Sequence, residues 1–160
     1  SLLIESKAEV LHNVEDRWVW RRIEAAVDSG AVDHVIDPEY LPGLQIVQTD
    51  ASKAGNAWTG TSGEEIPKLG AISLPWFTCD GRSKALAFQA GRVGRPLIGS
   101  SRLEDAGINT LLMKGSGGPH LKNTVTGERY DLRRVGGLYL LDMWCRVKQS
   151  TDSRGFRGRD

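Results

Sequence analysis

Hydrophobic and polar positions along the chain change texture at Trp18. Residues 1–16 are mixed and weakly patterned, as expected of an N-terminal arm. From Trp18 onward the apolar runs are short, and Gly, Pro or Asp interrupts them about every ten residues. That spacing predicts an all-β sandwich or barrel. The expected strands cover 18–27, 44–48, 55–59, 65–67, 71–78, 85–90, 110–114, 121–125 and 138–145. Asp80-Gly81, Thr126-Gly127 and Ser62-Gly63 mark hairpin turns. One helix is expected after residue 99, capped by Ser100 or Ser101, with Leu103 and Ala106 inward and Gly107 at its end. Trp18, Trp20 and Trp144 fall at strand spacing and are assigned to the core. Residues 148–160 have a single aromatic, Phe156, and read as a disordered linker. No internal repeat is present.

Composition narrows the picture. The 160 residues suit one domain with a modest core, here placed at 17–147. The 21 basic and 20 acidic residues nearly cancel, which argues against a dedicated nucleic-acid binder. Only the Arg154-Gly155-Phe156-Arg157-Gly158-Arg159 stretch offers weak RNA contact. No apolar run approaches the roughly 18 residues that span a bilayer. The start has no secretory signal, and the missing initiator Met points to a fragment or a processed piece. The two cysteines, Cys79 and Cys145, are read as reduced and partly buried, and the protein as intracellular.

The sharpest chemical feature is an apolar strand that ends in Asp28-Ser29-Gly30-Ala31. A strand end holds a carboxylate on a rigid element. Gly30 admits a close backbone, and Ser29 can donate a hydroxyl hydrogen bond to a neighbouring loop. Asp-Ser-Gly is also ordinary turn chemistry, and Asp-(Ser/Thr)-Gly arises by chance in roughly one chain in fifteen of this length. The order of the segments downstream of it is more informative. A hairpin with a small tip, Trp58-Thr59-Gly60-Thr61-Ser62-Gly63, has the composition of a flap that opens over a peptide. Then comes Leu97-Ile98-Gly99, an apolar pair and a glycine leading into the expected helix.

On these residues the chain resembles the retropepsin family of aspartic peptidases from retroviruses and retrotransposons. The resemblance is closest to the peptidase segments of copia-type retrotransposon polyproteins of dinoflagellates. It is carried by Val27–Ile36, by Glu65–Gly70 after the hairpin, by Phe88-Gln89-Ala90 with Pro96–Leu103, and by Tyr130–Arg134 with Gly136–Trp144. It spans about Trp20 to Val147. It implies a retropepsin-like closed barrel with one short helix after the second apolar-apolar-Gly strand. It implies Asp28 as catalytic acid, Ser29, Gly30 and Ala31 as its supporting loop, residues 58–63 as flap, and Leu97, Ile98 and Gly99 as the strand beside the loop. It implies no cofactor, no membrane, and polyprotein processing in a cytoplasmic retroelement particle. Since one Asp-(Ser/Thr)-Gly cannot supply two carboxylates, it also implies a homodimer acting on a peptide or polyprotein. The chain departs from the retroviral pattern in two ways. An acid after the Asp block and an Arg after the Ile-Gly form an ion pair in that pattern, and Val32 and Ser100 stand in those places here. Trp58 stands where many relatives carry Tyr.

Other readings remain open. The domain can be an inactive dimerisation or peptide-binding module, or a retropepsin-like fold in a cellular adaptor. Asp33 beside His34 suggests a charge pair, and with only His12 and His120 elsewhere no metal site is expected. Glu64 and Glu65 are expected to be solvated, since neighbours on a strand face opposite sides. Ser29 lacks a triad histidine.

Overall fold

The computed structural model describes residues 17–149 apart from Met113, Lys114 and Ser116, so the arm at 1–16 and the tail at 150–160 lie outside the described residues. Strand makes up 49% of the described residues and helix 10%, which places the domain in the all-β class. The strands are β1 (Trp18–Asp28), β2 (Val35–Ile36), β3 (Ala57–Thr59), β4 (Glu65–Pro67), β5 (Gly70–Phe77), β6 (Ser83–Ala90) and β7 (Leu97–Gly99). They continue with β8 (Ile108–Leu111), β9 (His120–Asn123), β10 (Arg129–Asp131), β11 (Arg133–Val135) and β12 (Leu138–Lys148). The helices are short: a 3₁₀ turn at Pro38–Tyr40, α1 at Asp50–Lys53 and α2 at Ser100–Asp105.

The main sheet runs in the order β1-β7-β2-β6-β5-β12-β11, and β1 also pairs with β12, so the pairings return to their start. β1 and β12 form the longest ladder, antiparallel from Trp18↔Lys148 to Ala26↔Leu140. Alternation decides what it buries. Ile23 and Ala25 face inward from β1, and Met143, Cys145 and Val147 face inward from β12. They meet Ile72 and Leu74 of β5, Phe88 of β6 and Ile98 of β7 in one core. Each such aliphatic or aromatic side chain contributes about 1.5–3 kcal/mol by leaving water. Trp18, Trp20 and Trp144 lie on the opposite stripe and are exposed, not core as expected from their spacing; the buried tryptophan is Trp76. The same stripe carries Arg22 and Arg146, whose charges cost too much to bury unpaired.

Other departures from expectation are local. The expected strand at 44–48 makes one isolated bridge, Val47↔Ala71. The expected strand at 110–114 begins and ends earlier, as β8, and Met113 and Lys114 fall outside the described residues. Gly99, not Ser100 or Ser101, is the N-cap of α2, without a side-chain cap. Leu103 is buried as expected but Ala106 is exposed, because the helix stops at Asp105 and Gly107 turns the chain at φ +79°. Cys79 is exposed, whereas Cys145 is fully buried and burial pushes its thiol up to about 11; neither forms a disulfide. Among the described residues no helix is long and apolar enough to cross a membrane.

One polar cluster ties β6 to the β9–β10 hairpin. The Glu128 carboxylate accepts from Lys84, from the Tyr130 hydroxyl and from Arg82 at 2.7 Å. Arg82 also donates to the Arg129 carbonyl at 2.8 Å. Lys84, with Tyr130 and Arg82, pulls the Glu128 carboxyl from 4.5 down to about 2. A depressed carboxyl adds stability that is complete above its unfolded value and is lost as pH falls through its folded value. Stability should therefore decline between about pH 4.5 and 2, and Glu128→Gln should flatten that part of the curve. Urea midpoints measured across this range check it; the same slope in both proteins would contradict the assignment.

Candidate active site

Asp28 is the last residue of β1, held there by a parallel ladder to β7: Ala26↔Leu97, Val27↔Ile98, Asp28↔Gly99. Its Oδ1 accepts the Gly30 N–H at 2.7 Å, so the turn after the strand organises one carboxylate oxygen. The loop then folds back over Gly99. A Cβ at Gly99 would lie 2.6 Å from the Ala31 carbonyl oxygen and 3.1 Å from that of Asp33, closer than real atoms approach or at the edge of it. The Gly99 N–H donates to Nδ1 of buried His34 at 3.1 Å. Burial first, and Arg102 next, lower the His34 pKa against the opposing effect of Asp33. Both effects favour the neutral ring, whose Nδ1 lone pair accepts the Gly99 amide.

Asp33 does not pair with His34 as expected. Its Oδ2 accepts the Trp58 Nε1–H at 3.0 Å, and its Oδ1 lies 4.0 Å from Arg102 on α2. Asp33, next to Val32, and Arg102, two residues past Ser100, thus approach each other as acid and base. Trp58 projects from β3 into the space left by Gly91, where a Cβ would meet the ring at 2.6 Å, and Lys68 sits 5.0 Å from the ring centre. The tryptophan side chain therefore fastens the β3–β4 hairpin to the loop behind Asp28.

The hairpin pairs Ala57↔Pro67, Trp58↔Ile66 and Thr59↔Glu65. Gly60 N–H donates to Glu64 O at 2.8 Å and Gly63 turns the tip at φ +81°. The Glu64 carboxylate bends back to accept the Ser62 N–H at 3.0 Å and packs on Gly60. It is exposed, as expected, yet it shapes the tip.

Between hairpin and loop lies an open cleft of about 760 Å³. Of the residues expected in a site, Asp28, Gly30, Ala31, Trp58, Thr59, Gly60, Thr61 and Leu97 line it. Ser29 is exposed beside it, Ser62 and Gly63 are exposed at the hairpin tip, and Ile98 and Gly99 are buried behind the loop. Sequence reasoning missed the opposite wall, Arg92, Val93, Gly94 and Arg95, on the loop from β6 to β7. Its signal was present as two arginines among glycines between two apolar strands. Among the described residues no cation pairs with Asp28, and no cluster of His, Cys, Asp or Glu could hold a metal ion. A half-exposed, unpaired carboxylate on a rigid strand end can accept a proton from a water or hydroxyl in the cleft.

No family model matches this chain, and neither a curated protein nor a solved structure does.

Trp58→Phe removes one donor and keeps most of the ring. The hairpin should then open more often, and the amides of Gly60, Ser62 and Gly63 should exchange with deuterium several-fold faster. Unchanged exchange would mean the Trp58–Asp33 bond does not hold the hairpin down.

Proposed function

We propose that this chain is one half of an aspartic endopeptidase and that a second copy completes its active site. The observation that carries the reading is Asp28 at the end of β1, without a cation partner among the described residues, lining the same cleft as a glycine-tipped hairpin. The fold supports it in a second way. The ring of pairings β1-β7-β2-β6-β5-β12 fits a retropepsin-like closed barrel, with the short α2 directly after Ile98-Gly99.

The chemistry needs two carboxylates. Asp33 lines the same cleft but is engaged by Trp58 and Arg102, so it is not a free twin. A twofold axis supplies the second Asp28. Two carboxyls at close range cannot both ionise, so the pair holds one proton and titrates as a unit. The ionised member takes a proton from water as its oxygen attacks the peptide carbonyl carbon. The protonated member donates to the carbonyl oxygen, giving a tetrahedral diol. Collapse breaks the C–N bond as a carboxyl returns a proton to the leaving amine. The hairpin closes over the peptide and excludes water, with Gly60 and Gly63 supplying the freedom to move. Polyprotein processing in a retroelement particle is the role this activity fits. A peptide-binding or dimerisation module with the same fold but no turnover is the alternative.

Incubation with a peptide library at mildly acidic pH separates the two. Cleavage is expected, and Asp28→Asn should lower it about a thousand-fold or more while leaving the thermal midpoint in place. An isosteric amide keeps an oxygen for the Gly30 N–H but cannot act as the base. Wild-type turnover in that variant would refute the assignment; peptide binding without cleavage in the wild type would favour the module.

A further inference from the structure

The outward face of the β1–β12 ladder carries large aromatic side chains that are each more than a third exposed. Trp18, Trp20 and Trp144 are 40%, 52% and 37% exposed. Their strand partners place basic groups between them: Trp20 faces Arg146 and Trp144 faces Arg22. Phe77 of β5 pairs with Trp144 and sets its ring edge-on to Trp20, with ring centres 5.4 Å apart. The Arg146 guanidinium lies 5.6 Å over the Trp20 ring, and no carboxylate among the described residues pairs with it. The rings thus stand on a rigid two-strand ladder with two arginines among them, Arg22 paired with Glu24 at 3.2 Å and Arg146 without a carboxylate partner among the described residues. Diagonal neighbours on such a ladder, like Trp20 and Trp144, stand roughly 7–8 Å apart. None of these side chains lines the Asp28 cleft.

We propose that this face is a stacking platform for single-stranded nucleic acid. Aromatic planes accept unpaired bases of any sequence, and Arg146 between them meets a phosphate. An aliphatic protein partner would need no alternation of ring and cation. The chain beyond β12 supports the same occupant. Gln149 N–H donates to Arg17 O at 2.7 Å, so the backbone leaves the sheet beside Trp18. The sequence past that point carries Arg154, Phe156, Arg157 and Arg159, again cations with an aromatic. The near-zero net charge of the whole chain limits affinity but not this local arrangement.

Titration of fluorescein-labelled oligo-dT and oligo-U of about 12 nucleotides with the full chain tests the proposal. Expected are a saturable rise in anisotropy at low salt, quenching of tryptophan emission, and weaker binding of a duplex of the same length. Trp20→Ala with Trp144→Ala should weaken binding about ten-fold or more in protein that circular dichroism shows to be folded at the assay temperature. Arg146→Gln should reduce the salt slope by about 0.7. Three results would overturn the platform. The first is absence of binding at low salt. The second is unchanged affinity in the double tryptophan variant, with loss only on changing Arg154, Arg157 and Arg159 to Gln. The third is a fall in sedimenting mass of the tryptophan variant without any oligonucleotide binding, which would give the face to a second copy of the chain.

Discussion

The missing side chain of Gly99 is what allows the site to exist in this form. The backbone after Asp28 lies against it so closely that one added carbon would strike the Ala31 carbonyl oxygen at 2.6 Å. That contact has three consequences. β7 can run parallel beside β1 and fix the height of Asp28. The loop can fold back far enough for neutral His34 to accept the Gly99 amide. Asp33 is then carried to where it meets both Trp58 of the hairpin and Arg102 of α2. A carboxylate at a strand end, a roof over it and a helix behind it are coupled through one glycine. The cost is specific: a buried amide must find a partner, and a ring whose neutral form burial favours supplies it.

Asp33 also changes the account of how the domain manages charge. Val32 and Ser100 are uncharged, yet an acid and a base stand close to them in the chain. Asp33 and Arg102 approach each other there, and Asp33 also accepts from Trp58. At 4.0 Å with Arg102 half exposed, the ion pair itself contributes little. The Trp58 bond, shielded by the packed ring, is the firmer link between hairpin and loop.

Much of this was legible because the long elements are periodic. β4 agrees with its expected bounds, β5 and β6 are close to theirs, and the three hairpins announced themselves through Asp80-Gly81, Thr126-Gly127 and Ser62-Gly63. β1 was read to within a residue, with Asp28 at its end. β2 and α1 were missed, since two or four residues are too short to show a period. α1 did carry a sign: Thr49 and Ser52 cap each other's backbone amides. The tryptophans were misassigned for a different reason. A period of two separates a strand into two stripes but does not say which is inside. Arg22 beside Trp20 and Arg146 beside Trp144, against Ile23, Met143 and Val147 on the other stripe, contained the answer. The loop with Arg92 and Arg95 escaped because only tertiary packing brings it opposite the hairpin.

The central claim is that one chain holds half of the chemistry. Mixing tests it most directly: wild-type protein at fixed concentration is equilibrated with rising amounts of Asp28→Asn chain, and peptide hydrolysis is followed. Mixed dimers contain one working acid, so activity should fall as the inactive chain captures partners, down to a small fraction at large excess. Activity unchanged at every ratio would contradict the half-site account and place the whole reaction within a single chain.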